Sequence, residues 1–292
     1  MRRVLLVAAA LTALSCTPKT PSSNPTPANP PGAPPPPPPA APAPAPAKGL
    51  RLGPSAQRYV MRTAVHIDQE FQGMRQPLDF GLRAFFGVTI TGPADSLGYP
   101  TTITIDSIVP DSGTTPPMGI NLAAAKALSF MGRLTPKGEF RSQSVSDSVA
   151  AQALSPIVGS FKNFFPRIPP GGLALGATWT DTTTENDRAA GSVTVTSVNR
   201  ARAAAWEDHK GTRVLRVEVA SDFTIKGGGQ QAGQPFEVAG NGVRSGLDFV
   251  SADGRYVGGE SRDSTSMTIT LPIQAMTIPR TQVSKTTVTV LP

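Results

Sequence analysis

The chain has 292 residues, 39% of them hydrophobic and 6% aromatic, with 31 prolines, a single cysteine and a formal net charge of +7. One cysteine excludes an intrachain disulfide framework, and neither histidine has a metal-spaced partner: no HExxH and no CxxC occurs. Arg2, Arg3, Lys19 and Lys48 contribute four of the seven net charges, so residues 49–292 carry only +3. Their basic residues are scattered, without a stripe or interleaved aromatics, and this argues against nucleic acid as a partner.

The first sixteen residues read MRRVLLVAAALTALSC. Arg2 and Arg3 form a positive start, and Val4 to Leu14 is an uncharged run of eleven residues. That length suits a secretory core and falls short of the roughly 20 apolar residues a membrane-spanning helix needs. Ser15 is the small residue a signal peptidase requires before its cut. The run Ala13-Leu14-Ser15-Cys16 resembles the lipobox of bacterial lipoproteins, with Ala13 where that family most often has leucine. The resemblance implies cleavage between Ser15 and Cys16, a diacylglycerol on the Cys16 sulfur and a further acyl chain on its amine. Two or three chains hold a protein firmly to a bilayer, whereas one holds it only marginally. Thr17 is not the Asp that retains enteric lipoproteins in the inner membrane, so the resemblance implies the outer membrane, facing the periplasm.

Residues 17–48, TPKTPSSNPTPANPPGAPPPPPPAAPAPAPAK, hold 15 of the prolines and only Lys19 and Lys48 as charges. Proline fixes φ and removes the backbone donor, leaving polyproline II as the accessible conformation. At about 3.1 Å per residue such a segment reaches up to roughly 100 Å. The expected organisation is therefore a signal peptide over 1–15, a lipidated cysteine and tether over 16–48, and one β-rich domain over 49–292.

In QRYVMRTAVHIDQEF, 57–71, Tyr59, Met61, Thr63, Val65, Ile67, Gln69 and Phe71 alternate with a mostly polar set that includes His66, Asp68 and Glu70. A turn follows at GMRQP, and alternation resumes from Leu78 to Ile90. Two strands of about 13 residues would each span roughly 43 Å, too long to lie flat over a small core, so the sheet must curl. Further alternation at 103–105, 215–225, 243–249, 267–271 and 286–290 predicts at least eight antiparallel strands. The triple glycine at 227–229 reads as a flexible turn.

Helix signals are few. NLAAAKALSFM, 121–131, is a short alanine-rich candidate. In LSPIVGSFKNFFP, 154–166, Ser155 is placed to N-cap a helix with Pro156 at its first position. Ile157, Val158, Phe161, Phe164 and Phe165 then form an apolar face that ends at Pro166, which predicts a plug against the curved sheet. GRLTPKGEFRSQS at 132–144 also matches LDFVSADGRYVGG at 247–259 around a shared glycine turn. The expected fold class is mainly β (α+β): a long curved antiparallel sheet or half-barrel of about eight or more strands, with one or two short helices on its concave face.

Catalytic motifs are absent. There is no GxSxG elbow and no phosphate-cradling glycine loop, so neither catalytic nor cofactor-binding residues are assigned and the chain does not read as an enzyme. PRIPPGGLALGATWTDTTT, 166–184, followed by AGNGVRSGLDFVSADGRYV, 239–257, resembles segments of uncharacterised bacterial lipoproteins. That resemblance implies kinship and assigns no activity. Trp179, in the Gly-x-x-Trp step, reads first as a core anchor and second as a ligand contact. In outline the predicted fold is similar to half-barrel lipoprotein carriers of the LolA and LolB kind, which hold acyl chains between sheet and helices.

Two functions follow. One is a membrane-anchored envelope domain that meets a protein partner, placed slightly ahead. The other is a carrier of a lipid or acyl chain in a hydrophobic cavity lined by Phe161, Phe164, Phe165 and Trp179. Whether the space between sheet and helices is filled or hollow discriminates them.

Overall fold

The computed structural model describes residues 49–111, 121–187, 192–231 and 234–292. Ser15, Cys16 and the proline-rich segment lie outside them. The alternation at 57–71 becomes strand β1 (Ser55–Phe71), paired along its length with β2 (Met74–Ile90). β3 (Tyr99–Pro110), β4 (Ser129–Leu134) and β5 (Phe140–Val145) extend this meander to one edge of the sheet. A second meander runs through β6 (Thr178–Asp187), β7 (Ser192–His209), β8 (Thr212–Gln231), β9 (Gln234–Ser251), β10 (Tyr256–Leu271) and β11 (Met276–Leu291). β1 and β11 pair, so the two meanders fuse into one eleven-stranded antiparallel sheet in the order β5-β4-β3-β2-β1-β11-β10-β9-β8-β7-β6. Strands of 16 to 20 residues recur from β7 to β11. Bulges at Phe85/Phe86, Met131/Gly132, Ala203/Ala205 and Tyr256/Gly258 add the local twist that curls such a sheet.

This topology makes a long crossing segment obligatory. After β5 the chain stands at one edge and must resume at the other, so residues 146–177 cross the concave face. The crossing begins with α1 (Ser148–Ala153), whose N-cap Asp147 accepts hydrogen bonds from the Val149 and Ala150 amides at 2.9 Å. It continues as α2 (Ser155–Val158) and a 3₁₀ turn over Gly159–Asn163. Leu154, Val158, Phe161 and Phe165 recur at helical spacing, and all four are buried against the sheet.

Three local expectations are corrected. Ser155 does not cap: Leu154 occupies the cap position without a side-chain bond, and Asp147 caps the preceding helix instead. The 121–131 segment forms only a 3₁₀ turn over Leu122–Ala125, because Ala127 turns to φ 63° and Ser129–Leu134 join β4, where the neighbouring strands satisfy their backbone groups. The triple glycine is no turn but part of β8, where Gly227 packs so close to the Ser192 carbonyl that any side chain would collide.

The matched hairpins at 132–144 and 247–259 do share one turn. Thr135 and Ser251 each donate their amide to the carbonyl four residues on, at 2.9 Å, and each hydroxyl accepts the returning amide at 3.1 Å. Gly138 and Gly254 supply φ of 79° and 81°. On the convex face Asp111 is buried beneath Arg62, 2.5 Å away, and Arg83, at 3.4 Å.

Candidate site on the concave face

The concave face divides into a filled part and a hollow part. In the filled part Phe164 inserts edge-on among Tyr59, Phe86, Phe161, Phe165 and Tyr256, with ring centroids 4.9 to 6.5 Å apart. Phe161 also meets Phe86 and Phe130. Tyr59 donates its buried hydroxyl to the Tyr256 carbonyl at 2.8 Å, and burial pushes its pKa well above the usual tyrosine range.

Beside this cluster lies a cavity of about 390 Å³ between residues 159–167 and the concave side of β6 to β11. Phe164, Phe165 and Trp179 line it; Phe161 does not, being wedged among other rings. The sheet register explains the hollow. One row across the strands reads Trp179, Ala201, Val219, Gly246, Ser261, Thr286, and the next reads Ala203, Val217, Asp248, Gly259, Val288. Gly246 and Gly259, diagonal neighbours on β9 and β10, are floor positions without side chains. A Cβ on Gly259 would sit 2.7 Å from Asp248 Oδ1 and 3.0 Å from the Tyr256 hydroxyl.

On the other side of the tryptophan row runs a polar one: Asp181, Asn199, Ser221, Arg244, Asp263, Ser284. Ser221 donates to Asn199 Oδ1 at 2.6 Å. Arg244 pairs with Asp263, which also accepts from the Ser284 hydroxyl at 3.2 Å. Above the cavity Asn163 donates to Glu185 and accepts from Arg167 at 2.9 Å, tying the helical segment to edge strand β6.

Asp248 stands on the floor, accepting a 3.0 Å hydrogen bond from the Tyr256 hydroxyl. Its carboxyl is pushed up to about 6 by desolvation, against the opposing pull of Tyr256 and Arg244. Tyr256 is raised by its own burial and by the adjacent carboxylate. Asp181 makes no hydrogen bond or ion pair among the described residues.

Sequence reasoning brought forward the three lining aromatics and passed over Asp181, Asn199, Ser221, Arg244 and Asp248. The available signal was their phase: each shares the strand face of apolar neighbours, as Asp181 does with Trp179 and Asp248 with Val250. His66 lies on the convex face between Asp79 and Asp68, at 2.7 and 3.3 Å, and His209 stacks on Phe249 at 4.2 Å. Among the described residues no group of three His, Cys, Asp or Glu side chains is placed to hold a metal ion, and no helix is long and apolar enough to cross a membrane. No protein-family model matches the chain, and no curated protein matches it in sequence.

Proposed function

We propose that this chain is a lipid-anchored protein of the bacterial envelope whose half-barrel domain binds a small amphipathic ligand on its concave face. The observation that carries this reading is the 390 Å³ cavity, built over a glycine floor and roofed by Phe164 and Phe165. Its size lies within the range of small-molecule sites, and it combines aromatic walls with a few polar groups. Its polar row distinguishes it from a wholly apolar acyl-chain slot. The anchor rests on Cys16 and the reach on residues 17–48, as the lipobox resemblance implies.

Native mass spectrometry of the full chain tests the binding. A retained small molecule, lost when Ser197→Phe fills the cavity while the circular dichroism stays unchanged, supports the reading. Equal spectra from both proteins, without adduct, count against it. For the anchor, Cys16→Ser should abolish fatty-acid labelling in cells, and continued labelling would refute it.

A second reading, a protein partner, is favoured by one observation. Edge strand β6, TWTDTTTEND, is ten residues long, has no strand on its outer side among the described residues, and carries no lysine, proline or bulge, its inward-facing Asp181 and Glu185 being the one edge-protecting feature it shows. Strand addition along β6 is the contact it predicts, and crosslinking from Thr182 would report it.

A further inference from the structure

The charge around the cavity narrows the ligand class, an inference that rests on the cavity-binding reading above. Of the two arginines that line the cavity among the described residues, Arg244 is paired with Asp263, whereas Arg167 donates to the neutral Asn163 amide and only shares Glu139, at 3.9 Å, with the closer Arg141. The carboxylates are not balanced in return. Among the described residues Glu185 accepts only from the neutral Asn163 amide, and Asp248 from the neutral Tyr256 hydroxyl. Asp181 has no partner among the described residues. Three open carboxylates thus face one arginine without a close carboxylate of its own, so the cavity is net negative: an anionic ligand meets excess like charge and a cationic one meets complementary charge.

The geometry also locates the charged end. Trp179 and Asp181 are two residues apart on one strand face, so the indole and the carboxylate stand side by side on the cavity wall. A π face next to a free carboxylate is suited to an ammonium or guanidinium group, held by charge and by the ring quadrupole together. Val219 continues from the tryptophan row, with Phe164 and Phe165 above, and supplies apolar surface for the rest of the molecule.

We infer that the cavity is selective for a small organic cation with an apolar body, its positive group seated at Trp179 and Asp181. The test is titration calorimetry of the full chain with three benzyl probes: benzyltrimethylammonium, its uncharged isostere neopentylbenzene, and phenylacetate as the anion. The cation is expected to bind at least tenfold more tightly than either of the others. Asp181→Asn, which removes a charge that supports no other group, is expected to weaken the cation about tenfold and leave neopentylbenzene unchanged. Equal affinity for cation and neutral isostere, tighter binding of phenylacetate, or indifference of the cation to Asp181→Asn would overturn the charge assignment while leaving the cavity reading standing. Failure of all three probes to bind would overturn both.

Discussion

Phe164→Ala is the sharpest probe of how the helical segment is held. Its ring is 7% exposed and meets five other aromatic rings edge-on. Truncating a buried phenylalanine costs about 3–5 kcal/mol, combining lost transfer energy with the residual void. The neighbouring cavity lets the site collapse partly, whereas removal of the five edge-on ring pairings acts the other way, so we place the cost at about 4 kcal/mol. For a domain of this size each kcal/mol lowers Tm by roughly 2–4 °C, which gives a fall of roughly 8–16 °C. Differential scanning calorimetry measures it, with Val149→Ala as control; that side chain is 77% exposed and its loss should shift Tm by no more than about 2 °C. If Phe164→Ala melts within about 2 °C of the parent, the crossing segment is not secured by this cluster and the packing described for the concave face is wrong.

The remaining predictions concern the cavity and the convex face. Gly259→Ala drives a methyl group into the Leu247 carbonyl oxygen, as well as Asp248 and the Tyr256 hydroxyl, and should cost at least about 2 kcal/mol in urea unfolding, where Gly53→Ala, which meets open space, should cost little. Asp248 has its carboxyl raised to about 6 from the usual 3.8, so the folded state takes up its proton before the unfolded state does. Its ionisation therefore opposes folding above about pH 6, and this penalty is relieved as pH falls from about 6 towards about 4. Asp248→Asn should accordingly be more stable than the parent at about pH 8, with the gap closing by about pH 4; a gap that widens on acidification refutes the assignment. Hydrogen bonds to Asp79 and then Asp68 favour the protonated form of His66 and raise its pKa above 6.5. An NMR titration should show this, and Asp79→Asn should lower it; any stabilisation from the charged pair is present below about pH 6.5 and lost as pH rises through the folded pKa.

How far the fold was legible depends on what each strand faces. β1 and β2 were readable residue by residue because Tyr59, Met61, Phe86 and Val88 pack against a filled core, giving full contrast between faces. β6 and β7 left no comparable pattern. Their concave positions are Trp179, Asp181, Thr183, Glu185 and Val195, Ser197, Asn199, Ala201, because they line a cavity rather than a core. Loss of apolar contrast and presence of the candidate site are thus one physical fact, as expected where local rules yield to function. The triple glycine misled for a related reason: close strand approach and a tight turn both demand a residue without a side chain. The aromatic plug was visible as a cluster, but the hollow next to it depends on Gly246 and Gly259 lying diagonally across β9 and β10. That register is a long-range property no short window contains.

Whether the concave cavity is a binding site can be read directly at Trp179. In a ¹H–¹⁵N spectrum of the full chain the two indole Nε1–H resonances, from Trp179 and Trp206, can be followed during addition of benzyltrimethylammonium. A ligand seated in the cavity produces a saturable shift of the Trp179 resonance, with Trp206, which does not line the cavity, unmoved. A Trp179 resonance that stays fixed at saturating probe, or shifts no more than that of Trp206, would show that the cavity does not bind it.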